Sequence, residues 1–395
     1  MVDPRPVRSV CVLAAAPFER GGIERLTWDV HRALGSAAGP DRVRMAALVG
    51  PSDGGAELAF AGPPRLSAAS KARFAWNVVL DLARRDPSML LFCMHPNQGQ
   101  VALAARRLFG SRFVVWAHGA EVWGPMQALP RAALRAADLV VCSSGFTRRR
   151  LAQRHGVAVG RTVAVHPPVS AETLARAART RRSAGACEPV ILSAGRAGAG
   201  DRYKGFDVLL QALPAVRDRV ANVRYVHVGG GDGLSELRGR AESIGVGDLA
   251  EFPGAVNDEA LWDAFEACRV FAMPSRADAD GRHPYGEGFG IVYTEAAAFG
   301  RPVVGSVDGG AAEAVLDGVT GATVDPRDPG AVAAALVRYL EDPAAADRAG
   351  AEGRRWVDER FSPAAFERRL TLALDRAGLL PGSDGASTPD RSGAS

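Results

Sequence analysis

The chain alternates short apolar, β-branched runs with stretches rich in Ala, Arg and Leu. Val10 to Leu13, Met45 to Val49, Met89 to Cys93, Arg112 to Trp116 and Leu139 to Cys142 form a first series of such runs. Val190 to Ala194, Val223 to Val228, Ala250 to Phe252, Val270 to Met273 and Pro302 to Gly305 form a second. Runs this short, separated by helical spacing, predict βαβ units and one parallel sheet per series. Between the series, residues 169–188 are polar, Arg-rich and without a strand-like run, and Pro167-Pro168 precedes them, so they read as an interdomain linker. That gives a first domain over 1–168 and a second over 189–360. A final helical run, Pro363 to Leu380, repeats Phe366, Leu370 and Leu374 at helical spacing, defining a closing segment 361–380. Residues 381–395 are rich in Gly, Ser, Asp and Pro, contain no large apolar side chain, and read as a disordered tail.

A chain of 395 residues exceeds the size at which one hydrophobic core stops growing, which agrees with two packed units. The start of the chain runs directly into Val10-Cys11-Val12-Leu13, too short for a signal-peptide core, and no apolar run is long enough to span a bilayer. Cys11, Cys93, Cys142, Cys187 and Cys268 are scattered, with no C-x-x-C pair, which speaks against a disulfide framework or a zinc site and for a reducing, cytoplasmic compartment. A net charge of +4 and a pI near 9.0 favour anionic substrates or a lipid surface only slightly. The basic residues are dispersed among acids, so no nucleic-acid partner is expected.

The densest chemical signal is His283-Pro-Tyr-Gly-Glu-Gly-Phe-Gly-Ile-Val-Tyr-Thr-Glu295, which follows a strand and precedes an Ala-rich helix. Gly286, Gly288 and Gly290 let the backbone approach a ligand, and a helix starting near Phe289, with Gly290 and Ile291 in its first turn, offers unpaired N–H groups to a phosphate. Glu287 then sits on the loop and Glu295 two turns up the helix, where carboxylates accept hydrogen bonds from sugar and ribose hydroxyls. A Gly-rich turn with a solvent-facing Glu is the plainer alternative.

Glu287 and Glu295, with seven residues between them, resemble the E-x7-E signature of retaining glycosyltransferases, and the second half of the chain resembles the family-four members of the GT-B fold. The resemblance extends to Ser193-Ala-Gly-Arg196 and Tyr203-Lys204-Gly205-Phe206-Asp207. It implies two Rossmann-like, doubly wound α/β domains facing a central cleft, with the first binding the acceptor, the second binding the nucleotide-sugar donor, and 361–380 packing back on the first. Arg196 and Lys204 match the family's positions for gripping the donor diphosphate, and a guanidinium fork with an ammonium suits charge building on a leaving phosphate. Gly230, in Val228-Gly-Gly-Gly-Asp-Gly233, resembles the family's Gly-rich loop, and Phe252 resembles the segment that seats the nucleobase; Phe252 is equally readable as core. Gly22, in Gly21-Gly22-Ile23-Glu24, resembles a loop that approaches the phosphates, or is a turn before a helix. His118, in Trp116-Ala117-His118-Gly119, resembles the strand-end histidine that reaches the transferred sugar. Ser143 either touches the acceptor or caps a helix.

The resemblance implies retention at the anomeric carbon and no cofactor beyond the donor substrate. Asp278-Ala-Asp280 lies in a loop, and because Arg and Lys take the cation's place in the family pattern, no metal is expected. A small-molecule or natural-product acceptor is placed slightly ahead of a lipid of the phosphatidylinositol type. Sugar epimerisation or phosphorolysis on the same fold is a competing reading. A binding module at a membrane surface is another, because Lys71 to Arg85 mixes basic residues with Phe74, Trp76, Val79 and Leu82 as a basic amphipathic helix does; peripheral contact with the inner membrane face therefore stays open. A UDP- or GDP-sugar is the expected donor.

Overall fold

The computed structural model describes residues 6–17, 21–49, 60–61, 68–84, 88–179 and 183–380. Among them the chain runs β1 (Val10–Ala14), α1 (Gly22–Ala38), β2 (Val43–Ala47), β3 (Phe60–Ala61), α2 (Ala68–Arg84), β4 (Leu90–Cys93), α3 (Gly99–Phe109), β5 (Phe113–Ala117), α4 (Ala128–Ala136), β6 (Leu139–Cys142), α5 (Gly145–His155), β7 (Thr162–Ala164) and α6 (Ala171–Arg179). It continues with β8 (Val190–Ala194), α7 (Phe206–Arg217), β9 (Arg224–Val228), α8 (Leu234–Ser243), β10 (Ala250–Gly254), α9 (Asp258–Ala267), β11 (Val270–Ala272), α10 (Ile291–Ala298), β12 (Val303–Ser306), β13 (Gly321–Val324), α11 (Pro329–Glu341), α12 (Pro343–Arg360) and α13 (Pro363–Arg376).

The strands form two sheets, in the orders β3-β2-β1-β4-β5-β6-β7 and β10-β9-β8-β11-β12-β13. β1 pairs in parallel with both β2 and β4, and β8 pairs in parallel with both β9 and β11. Each sheet therefore reverses its winding direction beside its own first strand, the doubly wound arrangement whose switch point is where open α/β sheets take ligands. In the second sheet that point lies between β8 and β11, so the loops that leave these two strands are the ones placed to meet a ligand.

The chain divides into two compact units, one of residues 1–116, 128–140 and 367–395 and the other of residues 117–127 and 141–366. In the first, the Asp138 carboxylate accepts from Arg106 at 3.0 Å and from the Phe113 N–H at 2.8 Å. Arg112 donates to the carbonyls of Ala377 and Gly378, satisfying acceptors just beyond the end of α13. In the second, α7 buries Phe206, Leu209, Leu210, Leu213 and Val216 at helical spacing and packs against α11, which Asp328 caps through the N–H groups of Gly330 and Ala331.

Residues 169–188 are more structured than a polar linker suggests: they hold α6 and lie within the second unit. Ser170 caps that helix by accepting from the Thr173 N–H at 3.1 Å, and Thr173 and Ala177 are buried. Of the closing segment, Pro363–Arg376 is helical and the part from Glu367 belongs to the first unit, while the tail 381–395 lies outside the described residues. The strands β3, β7 and β13, which the apolar runs do not reveal, stand at sheet edges. All five cysteines are buried and free, and burial pushes the thiols of Cys11, Cys142 and Cys268 up to about 12. Among the described residues, no helix is long and apolar enough to cross a membrane.

Phe271, fully buried in β11, meets Phe265 at 5.8 Å and Tyr293 at 6.1 Å between ring centroids. Replacing it with alanine removes a packed ring and leaves a cavity, so Phe271→Ala should lower the unfolding free energy by about 3–5 kcal/mol in denaturant titration. A loss below about 1 kcal/mol would contradict the packing described.

Candidate active site

The loop leaving β8 carries two of the expected cations. Arg196 follows Gly195, and its guanidinium grips Asp201 with two bonds, Nε to Oδ2 at 2.7 Å and Nη2 to Oδ1 at 3.2 Å. Asp201 is buried while the Arg196 side chain is 78% exposed, so the carboxylate aims the fork and leaves much of the arginine open to solvent. The hydrogen bond to Asp201 raises the arginine's pKa further. Lys204 ends a short 3-10 turn, Ala199–Lys204, and its ammonium meets Glu287 Oε1 at 2.8 Å, with the two side chains 14% and 15% exposed. Burial pulls the lysine's pKa down, but the Glu287 charge and hydrogen bond, with Tyr203 and Asp201, together outweigh it, and the value sits above the ordinary one. The ammonium also lies 5.3 Å from the centre of the Tyr203 ring, whose hydroxyl burial and Glu287 push up to about 12.

Glu287 comes from the loop leaving β11. Asp278 and Tyr285 exchange backbone bonds of 3.0 Å, pinching residues 278–285 into a hairpin. Asp278 accepts from the N–H groups of Asp280 and Gly281, and Asp280 pairs with Arg150 at 2.6 Å and Arg154 at 3.2 Å. Both carboxylates of the Asp278-Ala-Asp280 run are thus engaged by protein donors. Among the described residues no group of three or more His, Cys, Asp or Glu is placed to hold a metal.

After the hairpin the backbone passes close to other segments of the same unit. A methyl group on Gly288 would lie 2.1 Å from the His118 carbonyl oxygen, so this position admits only glycine. The contact brings the His118-Gly119 segment against the Glu287 loop. Glu121 fixes that segment by accepting from the N–H groups of both His118 and Gly119. The helix α10 starts at Ile291 rather than at Phe289, with Gly290 at φ 86° as its N-cap. Glu295 is in the second turn and half-buried, as is Ile291. The Phe289 side chain is core: it is 2% exposed and packs on His166 at 5.0 Å and Phe361 at 5.3 Å.

Other expected positions have structural work of their own. The Gly230 carbonyl accepts from the Ala197 N–H at 2.9 Å, and a methyl on Gly229, at φ 152°, would lie 1.8 Å from the Gly195 oxygen. The Gly-rich loop is thereby the support on which the Arg196 loop rests. Phe252 is half-buried, edge-on to Tyr225 at 6.2 Å, and its carbonyl accepts from Arg238 at 2.8 Å. Gly22 opens α1 in the first unit, next to residues 18–20, which lie outside those described. Ser144, not Ser143, caps α5 through the Thr147 N–H. Asp201, Glu313 and His166 escape sequence reasoning; Glu313 has a visible cue, a Gly309-Gly310 turn after a strand with an acid three positions on.

Two doubly wound sheets, with a basic pair and an acid gathered at the switch point of the second, define a class of two-domain, Rossmann-like transferases. The family model for glycosyl transferases group 1 matches residues 179–356, and that for glycosyltransferase family 4 matches residues 20–173. A GDP-mannose-dependent alpha-(1-6)-phosphatidylinositol monomannoside mannosyltransferase of Mycolicibacterium smegmatis is 37% identical over 68% of this chain and 72% of that protein. A D-inositol 3-phosphate glycosyltransferase of Streptomyces avermitilis is 33% identical over 60% of this chain and 51% of that one. In solved structures, sucrose-phosphate synthase of Thermosynechococcus elongatus matches with a TM-score of 0.72 at 24% identity, over 93% of this chain and 99% of its own. Anabaena HepE in complex with UDP matches with 0.70 at 18%, over 93% of this chain and 100% of its own. The chain belongs to the family-four glycosyltransferases and has the GT-B fold.

Beneath the Arg196 loop lies a buried polar relay that the apolar runs conceal. Ser193 Oγ is 2.7 Å from the Tyr225 hydroxyl and 2.9 Å from His227 Nδ1, while His227 Nε2 is buried without a hydrogen-bond partner. Burial, and then the Lys204 charge, lower this imidazole from 6.5 to about 4. The fold holds it neutral, so the stability linked to it is full above the unfolded value of 6.5 and is lost as pH falls from there towards 4. His227→Leu should remove that loss: between pH 7 and pH 4, wild type should forfeit about 3 kcal/mol more unfolding free energy than the variant. Parallel pH profiles of the two proteins in denaturant titration would refute the assignment.

Proposed function

We propose that this glycosyltransferase moves a hexose from a GDP-sugar to an inositol-bearing lipid of the phosphatidylinositol mannoside class, with retention and without a metal. The observation that carries the reading is the Lys204–Glu287 pair, 2.8 Å apart at the switch point of the second sheet. In this reading Lys204 and Arg196 bind the donor diphosphate and neutralise the charge that grows on it as the glycosidic bond breaks. Asp201 keeps the Arg196 fork in place, and Glu287 both orients Lys204 and accepts from hydroxyls of the transferred sugar. The first turn of α10, at Gly290 and Ile291, offers backbone N–H groups to the phosphates, and Glu295 receives the ribose hydroxyls. His118 reaches the sugar from the segment packed on Gly288, and Phe252 borders the base. Transfer with retention follows from departure and attack on one face, a donor phosphate oxygen taking the acceptor proton.

The choice of GDP and of a lipid acceptor is supported by the relatives, among which the GDP-mannose-dependent phosphatidylinositol monomannoside enzymes match over the larger share of the chain. The small-molecule acceptor placed first on the sequence alone has its counterpart in the D-inositol 3-phosphate glycosyltransferases, which match over a smaller share of the chain. A specific feature of the first unit favours a lipid surface. Trp76 on α2, Leu108 on α3 and Leu129 on α4 are 62%, 65% and 57% exposed, and α3 and α4 carry Arg106, Arg107, Arg131 and Arg135 without one acidic residue. Exposed aromatic and aliphatic groups among arginines suit the headgroup region of an anionic bilayer, at the cytoplasmic face. Lys71, Leu82, Arg84 and Arg85, also part of the basic amphipathic pattern, have side chains outside those described.

Label transfer from GDP-mannose into organic-soluble product, with phosphatidylinositol mannoside in vesicles as acceptor, tests this function. Lys204→Ala and Glu287→Ala should each remain folded and lose at least about 10²-fold in turnover, the scale of deleting a charge-stabilising group. GDP should raise the melting temperature more than UDP does. Near-wild-type turnover in either variant would remove the site assignment, and donor consumption that is indifferent to acceptor would favour epimerisation or hydrolysis instead.

A further inference from the structure

We propose that Glu313, which stands outside the residues assigned to the donor, is a positioning residue that sets the loop Gly286 to Gly290 from three directions at once. The inference rests on the reading of that loop as the donor site. Glu313 ends a short turn, Ala311–Glu313, after β12, and its side chain is 25% exposed. Three donors converge on its carboxylate: Oε2 accepts from the Gly145 N–H at 2.8 Å and from His166 Nε2 at 2.9 Å, and Oε1 accepts from the Phe146 N–H at 2.7 Å. Burial works against the charge, but these bonds outweigh it and hold the acid below the ordinary glutamate range.

The first route to the loop is through the backbone of the turn itself. The Glu313 N–H donates to the Gly310 carbonyl at 3.1 Å, and the Gly310 N–H donates to the Glu287 carbonyl at 3.0 Å. The second runs through His166, whose ring lies 5.0 Å from that of Phe289 at 33°, with Phe361 closing the cluster at 5.7 Å and 5.3 Å from the two rings. Phe289 stands two residues after Glu287, so fixing its ring fixes the turn between Glu287 and α10. The third route runs along α5, whose first N–H groups Glu313 holds. Phe146 packs edge-on to Trp123 at 5.0 Å, and a methyl on Gly286 would touch that indole at 3.0 Å. Further along α5, Arg150 and Arg154 hold Asp280 in the hairpin that leads into Glu287.

A carboxylate needed only to close a helix start would be satisfied by two backbone N–H groups. The third donor, His166, is the one that extends the contact to the donor loop. Glutamine cannot replace this function: one of its two terminal groups is itself a donor and would face an N–H. Loosening the loop should move Glu287 relative to Lys204 without any change in a group that touches ligand.

The test uses the full chain and the variants Glu313→Gln and His166→Phe, the second of which keeps a ring on Phe289 and drops only the link to Glu313. Amide hydrogen exchange over residues 286–295, measured without ligand, should accelerate at least about tenfold in both, with β8 and β9 unchanged. Donor KM should rise at least about tenfold while kcat changes less than about threefold, a split that loss of active fraction does not produce. If Glu313→Gln does not fold, His166→Phe carries the test. Wild-type exchange over 286–295 in either folded variant overturns the proposal whatever the kinetics, and because that readout needs no donor, it fails separately from the proposed function.

Discussion

The ion pair between Lys204 and Glu287 is the interaction on which the rest of the second unit turns. One partner follows β8, the other follows β11, and the 2.8 Å contact ties the two loops at the switch point of the sheet. Taking both charges largely out of water costs several kcal/mol, and a hydrophobic pair of the same volume would often be no less stable. Stability therefore does not explain the arrangement, whereas the donor-binding role proposed for Lys204 would. In that proposed role, an ammonium already desolvated and held by Glu287 would be preorganised for negative charge.

Much of the remaining architecture serves to hold these two loops still. Gly229 and Gly288 let backbone lie on backbone where any side chain would clash, the first beneath the Arg196 loop and the second against His118. Asp201 restrains Arg196, Tyr203 covers the Lys204 ammonium, and Glu313 accepts from the first N–H groups of α5 and from His166, whose ring packs on Phe289. Such supports are neutral toward the identity of the ligand. They determine how sharply the charged groups are placed, and a displacement of about 1 Å at such a site is enough to cost a large factor in rate.

What the sequence made legible follows from the same physics. The central strands β1, β4, β5, β8, β11 and β12 are entirely buried in the sheets, so they are written as mainly apolar runs, interrupted only by Ser193 in β8 and Gly305-Ser306 in β12. The edge strands β7 and β13 are only partly buried and carry no such run, and α6 rests on Thr173 and Ala177, which give little apolar signal. Arg196, Lys204, Glu287 and Glu295 were readable because each belongs to a short local motif. His166 and Glu313 were not, since they meet across 147 positions of sequence, and Ser193, Tyr225 and His227 join only when β8 and β9 pair. At Phe289 the motif marks the approach to the helix but not its start, which the backbone reaches only at Ile291, and the motif says nothing of the ring, which is core.

The central claim is that a sugar nucleotide lies with its diphosphate on Lys204 and Arg196. The most direct measurement is a crystal structure of the protein with GDP. Phosphate oxygens within hydrogen-bonding reach of the Lys204 ammonium and the Arg196 guanidinium, with the ribose hydroxyls on Glu295, are the expected result. A nucleotide bound elsewhere, with the Lys204–Glu287 contact undisturbed at 2.8 Å, would contradict it.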